Sequence, residues 1–273
     1  MRHVTFVAVM LLAVCASTTH GQMQKPATSV TPVIIELFTS EGCSSCPPAD
    51  DLMAMLVHDQ PVKGAQIIAL GEHVDYWDRL GWKDRFSNSA FTARQNEYAQ
   101  LVFHTDNIYT PQLIVNGAEQ LAGTDARKIK QAIAKAAERP PSVTLAISTP
   151  GEPGADRKGT LQVKATVADG AKLDEPIDVL VAVTEEHLMT RVLRGENEGK
   201  DMRHGTVVRI MAPVGTMAPK DATWSTPQPV TFTLEKDWDP KQIRVVAIAQ
   251  ATKSRRILGA TMTPLIQPAQ GSK

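Results

Sequence analysis

The pattern of apolar and polar positions changes character near residue 140. Before it, Val33-Ile34-Ile35-Glu36-Leu37-Phe38-Thr39 is almost continuously apolar or β-branched, as expected of a strand covered on both faces. Ser40-Glu41-Gly42 ends that strand, and Cys43-Ser44-Ser45-Cys46-Pro47-Pro48 leads into a helix. Ala49, Leu52, Met53 and Leu56 share one stripe of it, with Asp50 and Asp51 in the first turn, where the helix dipole favours acids. Residues 66–70 predict a second strand. Ser87 or Ser89 is placed to cap a helix that turns Phe91, Tyr98, Leu101 and Val102 inward. Residues 111–115 read as a strand, Asn116-Gly117 as a hairpin turn and Glu119–Ala122 as its return. Thr124 caps a last helix, with Ile129, Ala132, Ile133 and Ala136 on the helical period. The predicted order is β-α-β-α-β-β-α.

Pro140-Pro141 cannot continue that helix and makes a stiff boundary. Beyond it Val143–Ser148 and residues 161–167, 177–184, 206–211, 230–234, 243–249 and 257–262 read as strands separated by polar or Gly/Pro-containing stretches. With no long helical pattern among them, about seven antiparallel strands predict a β-sandwich. The fold class is therefore α/β over residues 22–140 and an all-β, sandwich-like unit over 141–273.

Residues 1–21 read as a secretory signal peptide. Arg2 and His3 precede an apolar run from Val4 to Ala16, too short to span a bilayer, and small Thr19 and Gly21 place cleavage after Gly21. A buried N-terminal strand explains the run but not its terminal position. A lipid anchor at Cys15 is the other possibility, disfavoured by bulky Val14. No other segment is apolar enough to cross a membrane, so the expected location is the periplasm or outside the cell.

Composition narrows the partners. The chain carries 29 Lys+Arg against 29 Asp+Glu, and zero net charge argues against nucleic acid. Of three cysteines, removal of Cys15 with the leader leaves Cys43 and Cys46, in a compartment where thiols oxidise. A dithiol spaced C-x-x-C, after a buried strand and at a helix start, is suited to thiol–disulfide exchange, because helix N–H groups stabilise the reactive thiolate. Cys43 is expected to be the exposed attacker and Cys46 the buried resolving thiol.

These features resemble the thioredoxin superfamily over about residues 33–137. The resemblance rests on the strand–CxxC–helix unit, on Tyr109-Thr110-Pro111-Gln112 before the next strand, and on the closing hairpin and helix. It implies a cis bond at Pro111 opposite the dithiol, with Thr110 offering backbone hydrogen bonds to an extended substrate. More narrowly, residues 33–50, His73-Val74-Asp75-Tyr76-Trp77-Asp78, Gly81-Trp82 and residues 109–117 are similar to the secreted bacterial thioredoxin-like proteins labelled domain of unknown function 1223. Gly195-Glu196-Asn197 and Val207-Val208-Arg209 fit that family too. The chain departs from ordinary thioredoxins in Ser44-Ser45, which replace the residues that tune redox potential. It departs also in Pro47-Pro48, which disfavour helical geometry at Cys46 and Pro47 and favour a late helix start.

Glu36 stands among apolar neighbours in mid-strand, where an unpaired carboxylate is costly. Many thioredoxins carry an acid near this position to move protons to the buried thiol, although here the spacing to Cys43 is one residue longer. The alternative for Glu36 is an ion pair with Arg or Lys. The segment after the second strand holds seven aromatics between Tyr76 and Phe103, read as core, with binding of an unfolded or peptide substrate beside the dithiol as the alternative. Its His73, Asp75 and Asp78 lack a diagnostic metal spacing. Arg191, Arg194, Glu196, Asn197, Glu198, Arg203 and His204 predict a solvated hairpin tip, with docking onto the dithiol half or a partner as the sharper alternative.

The expected activity is thiol–disulfide exchange on protein or peptide thiols. Cys43, Cys46 and Glu36 carry it, Thr110 and Pro111 bind substrate, and an unidentified redox partner resets it. Neither an organic cofactor nor a resident metal is called for. A non-catalytic binding or assembly module of the cell envelope, and a copper-handling protein using the soft dithiol, are the competing readings.

Overall fold

A computed structural model describes residues 30–149 and 152–266; the proposed leader and Cys15 lie outside them. The chain is a strand-rich mixed α/β protein with three sheets. Its first half runs β1 (Thr31–Thr39), α1 (Pro47–Asp59), β2 (Ala65–His73), α2 (Ser89–Glu97), β3 (Gln112–Val115), β4 (Glu119–Ala122) and α3 (Ala126–Ala137). The sheet order is β2-β1-β3-β4, with β1 parallel to β2 and antiparallel to β3. A parallel β1–β2 pair needs a crossover, and α1 supplies it. The central strand β1 is buried on both faces, which explains its unbroken apolar run. Ile35 and Leu37 meet Met53 and Leu56 of α1 and Ile129 and Ile133 of α3. Ile34 points the other way.

Three local expectations are corrected. Helix α1 does not start late: Pro47 is its first residue, and Cys46 already has helical φ −78° and ψ −38°. A proline at the first helical position loses only an N–H that would have had no partner in the helix. Helix α2 is capped by Asn88, not Ser87 or Ser89; Asn88 is extended, and its Oδ1 accepts from the Ala90 N–H at 2.9 Å. Helix α3 is capped by Asp125 rather than Thr124, through the Lys128 N–H at 3.0 Å.

The second half runs β5 (Val143–Ser148), β6 (Lys158–Val167), β7 (Ile177–Arg191), β8 (Asp201–Met217), β9 (Thr223–Ser225), β10 (Val230–Thr233), β11 (Ile243–Ala251) and β12 (Ile257–Pro264). Among the described residues that is eight strands; the short β9 is the one the pattern missed. One sheet has the order β10-β6-β5, with β9 also on β6, and the other β12-β11-β7-β8. They enclose a common core: Leu161, Val163 and Ala165 from one, Val179, Val181, Val183, Val245 and Ala247 from the other, with Phe232 and Trp238. The opposite face of the β7–β11 pair is not solvated. Its Leu180, Ala182, Val246 and Ile248 pack on Ile34, Ile68, Leu70 and Phe91 of the first half. Because both faces are covered, β7 and β11 read as continuous apolar runs rather than alternating ones.

Strands β7 and β8 extend well past their predicted ends, as a long hairpin that crosses to the first half. The approach is very close. A Cβ on Gly71 of β2 would lie 2.2 Å from the Thr206 carbonyl oxygen, and one on Gly205 of β8 would lie 2.6 Å from Ala54 Cα in α1. Both obstacles are backbone or short side chain and cannot swing aside. Gly71→Ala and Gly205→Ala are therefore each expected to destabilise the chain by roughly 1–3 kcal/mol. Gly154→Ala, where an added Cβ meets only the Asp156 carboxylate at 3.5 Å, should be near neutral. Urea unfolding of the three variants measures this; equal midpoints would show that β8 is not tightly seated.

Candidate functional site

Cys43 and Cys46 are joined as a disulfide between the end of β1 and the first turn of α1. The expected asymmetry is corrected, because both cysteines are 0% exposed, while Ser44 and Ser45 between them face solvent. The tip of the β7–β8 hairpin is bonded to the loop that carries Cys43. Asn197, itself fully buried, donates from Nδ2 to the Cys43 carbonyl at 2.8 Å and the Glu41 carbonyl at 2.9 Å, while Lys200 Nζ donates to its Oδ1 at 2.8 Å. A Glu196 carboxylate oxygen accepts from the Ser44 N–H at 3.2 Å, and that bonding to Ser44 holds the carboxyl below its ordinary range. The tip is thus docked on the dithiol loop, and only its flanks, such as the exposed Arg191–Asp201 pair, are surface ion pairs.

The Thr110–Pro111 peptide is cis, and Thr110 borders the dithiol loop. Its carbonyl lies 3.5 Å from the Ser45 hydroxyl, a long contact, and its own hydroxyl accepts from Trp77 Nε1 at 2.8 Å. Ser45 Oγ is also 3.3 Å from Cys43 Sγ.

Glu36 is not on the dithiol's side of the sheet. Its Oε2 accepts from Arg94 Nε at 2.6 Å and its Oε1 from the Tyr98 hydroxyl at 2.5 Å, both groups lying on or just after α2. Arg94 also donates to Tyr98 and to Gln250 of β11, each at 3.0 Å, and stands 3.6 Å from Glu72. This is the ion-pair alternative for Glu36. One guanidinium faces two buried carboxyls, so burial first, and then the adjacent Glu36, push Glu72 well above the ordinary carboxylate range.

On the dithiol's side the carboxyl is Asp50, one helical turn after Cys46. Its N–H donates to the Cys46 carbonyl at 3.2 Å, and its Oδ2 accepts from the Thr39 hydroxyl at 3.0 Å. Burial pushes its pKa up to about 7, against the lowering effect of His204 and of the Thr39 hydrogen bond. From the sequence, Asp50 is expected only as an acid in the first turn, favoured there by the helix dipole. The missed signal is its four-residue offset from Cys46, which puts both side chains on one helix face.

Behind the loop lies a second polar cluster. Glu41 Oε2 accepts from Trp82 Nε1 at 2.8 Å, and its Oε1 stands 3.3 Å from His204 Nε2, with an alignment too poor for a hydrogen bond. His73 and Asp84 form a buried 2.6 Å pair. Burial works to raise Asp84, but His73 and backbone N–H groups outweigh it and hold Asp84 below the ordinary range. Asp75 and Asp78 go instead to Thr92 and Ser87, apart from His73. Among the described residues no group of three or more His, Cys, Asp or Glu is arranged to hold a metal ion, and no helix is long and apolar enough to cross a membrane.

Residues 34–250 match the family model described as Protein of unknown function (DUF1223). The chain belongs to that family. Among solved structures it is similar to protein AGR_C_4864 from Agrobacterium tumefaciens, at 23% identity and a TM-score of 0.68 over 90% of this chain and 100% of that one. It is similar also to HBP35 of Porphyromonas gingivalis, at 14% identity and a TM-score of 0.65, over 90% and 79% of the two chains. These likenesses are of fold. None of the curated proteins matches the chain.

The Asp50 environment makes a pH prediction for this DUF1223 protein. Its folded pKa lies above the unfolded value, so its contribution to stability is intact below about pH 4 and is lost as pH rises towards 7. Asp50→Asn keeps an acceptor for Thr39 and has no charge to bury. The variant should match the wild type near pH 4 and exceed it at pH 8 by up to about 4 kcal/mol. Urea unfolding at the two pH values reads this; a constant difference would mean Asp50 is ionised as easily in the fold as outside it.

Proposed function

We propose that the mature chain is an exported thiol–disulfide oxidoreductase that exchanges the Cys43–Cys46 disulfide with protein or peptide thiols. In this reading residues 22–140 are a thioredoxin-like unit, 141–273 a sandwich-like one, and residues 1–21 the export signal. The observation that carries it is the position of the disulfide. It spans the turn from the central strand β1 to the N-terminus of α1, with Cys46 directly before the helix, where N–H groups favour a thiolate. A two-residue bridge closes too short a loop to stabilise the fold much, so a purely structural role explains it poorly. Thr110 beside Ser45 offers a backbone group next to the reacting sulfurs for an extended substrate.

A substrate thiolate attacks Cys43 Sγ, the S–S bond breaks, and Cys46 leaves as a thiolate that must take up a proton. Asp50, not Glu36, is the carboxyl on the right helix face to supply it, and at about pH 7 it is poised both to give and to accept one. In the reverse direction the Cys46 thiol loses its proton to Asp50 as it attacks Cys43 and expels the substrate thiolate.

The complete burial of both sulfurs favours the second reading, a thioredoxin-like binding module with an idle disulfide. Cys46→Ser in the full chain, exported in cells, separates the two. The oxidoreductase reading expects mixed disulfides through Cys43 that disappear on reduction and are absent from the Cys43→Ser/Cys46→Ser double variant. If none form, and the wild-type disulfide resists an excess of reduced thiol, the binding-module reading stands. The role of Asp50 is tested in the reduced protein with an aromatic disulfide reagent, which releases one thiolate when Cys43 attacks and a second when Cys46 closes the bridge. Asp50→Asn should slow the second release near pH 7 on the order of 10²-fold and leave the first unchanged. Equal second-release rates would assign Asp50 to packing alone.

A further inference from the structure

The hairpin tip, residues 192–200, is held very differently from the strands that carry it. The body of β8 is locked in place: Met202, His204, Thr206, Val207 and Val208 are buried, and Gly205 and Gly71 sit at backbone contact with the first half. In the tip only Val192 and Asn197 are buried, and Leu193, Arg194, Glu196, Glu198, Gly199 and Lys200 face solvent. Its hold on the first half includes the two Asn197 bonds, the Glu196 bond to Ser44, and the packing of Gly195 near Trp82 and Gly81. Gly195 and Gly199 flank these contacts at φ of +80° and +81°, positions that let the tip re-bend without moving β7 or β8. A segment with few buried contacts on a rigid base opens locally at far lower cost than the whole fold.

What the tip covers matters as much. The Glu41 and Cys43 carbonyls and the Ser44 N–H are backbone groups of the loop that carries Cys43. An amide and a carboxylate from the tip occupy all three. An extended polypeptide presents the same two functions, a donor in its N–H groups and an acceptor in its C=O groups.

We propose that the Glu196–Asn197 tip is a built-in occupant of the polypeptide-binding edge beside Cys43, and that a substrate chain reaches the disulfide by replacing it. The inference rests on the exchange reading and adds its regulation. With the tip seated, the disulfide is shielded from small thiols. A polypeptide that satisfies the Glu41, Cys43 and Ser44 backbone groups displaces the tip and gains access. No bond is made or broken in this step; the exchange that follows is the one written above.

The test uses the full mature chain with its disulfide formed and follows opening by dithiothreitol. Asn197→Ala leaves two carbonyls without their donors. Asn197→Asp keeps the shape but turns an acceptor towards them, and Glu196→Gln weakens the Ser44 bond. Reduction should accelerate in all three, by roughly tenfold or more for the Asn197 variants, because each lost hydrogen bond lowers the cost of opening. Backbone hydrogen exchange, measured alongside, should rise in residues 41–46 and 192–200 and stay unchanged in β1, β7 and β11. Wild-type reduction rates in folded Asn197 variants overturn the inference, as does an exchange increase spread over the whole chain. Failure of the parent reading looks different: the Asn197→Ala disulfide opens rapidly to dithiothreitol, yet the Cys43 thiol of the Cys46→Ser/Asn197→Ala chain forms no mixed disulfide with disulfide-bonded polypeptides.

Discussion

The contact on which the rest of the structure depends is the backbone approach of β8 to β2 and α1. Without a side chain at Gly71 or Gly205, the strand comes near enough for its carbonyls to touch the first half. That proximity makes the two halves one packed body. The outward face of the β7–β11 pair becomes a core with Ile34, Ile68 and Phe91 instead of a wetted surface. It also sets where the hairpin tip can reach. A hairpin anchored one side chain farther away would leave Asn197 short of the Cys43 carbonyl, and the disulfide loop would face water.

The buried charges are arranged on opposite faces of the first sheet, and the two sets are balanced differently. Around α2, Arg94 serves Glu36 directly and Glu72 at longer range, and burial with the adjacent Glu36 pushes Glu72 above the ordinary carboxylate range. Breaking that set by removing Arg94 would leave two buried acids with no cation, the costly case for a buried pair. Around α1, the basic group that acts on Asp50 is His204 from β8. The first arrangement sets an arginine against its carboxyls; the second leaves one carboxyl, its pKa pushed up to about 7, able to change state near neutral pH. Only the second shares a helix face with a cysteine.

Most elements could be read from the sequence because burial on one or two faces leaves a period in the side chains. The nearly unbroken run 33–39 and the Asn116-Gly117 hairpin each appear where the pattern placed them. The extents of β7 and β8 could not be read, since their outer parts carry charges that resemble a solvated turn. The docking of the tip is legible only as the alternative to a solvated turn, because a cluster of polar residues fits both. Asn197 acts on backbone carbonyls, and every residue has a carbonyl, so no second residue type marks the partner. The hold on the Cys43 carbonyl is invisible for the same reason, because its donor is 154 positions away.

The site residue most affected is Glu36, and the reason was present in the chain itself. An acid under a dithiol must lie on the strand face that the following helix covers. Side chains of a strand alternate, so moving the acid one residue farther from the cysteine transfers it to the other face. In β1 the face towards α1 is Ile35, Leu37 and Thr39; Ile34, Glu36 and Phe38 face away. The extra residue between Glu36 and Cys43 therefore excludes Glu36 from the dithiol and places it within reach of Arg94. Thr39, on the correct face, has no proton to trade near neutral pH, but it donates a hydrogen bond to Asp50. The carboxyl beside the dithiol thus comes from the helix, four residues past Cys46, and the strand contributes only the hydroxyl that steadies it.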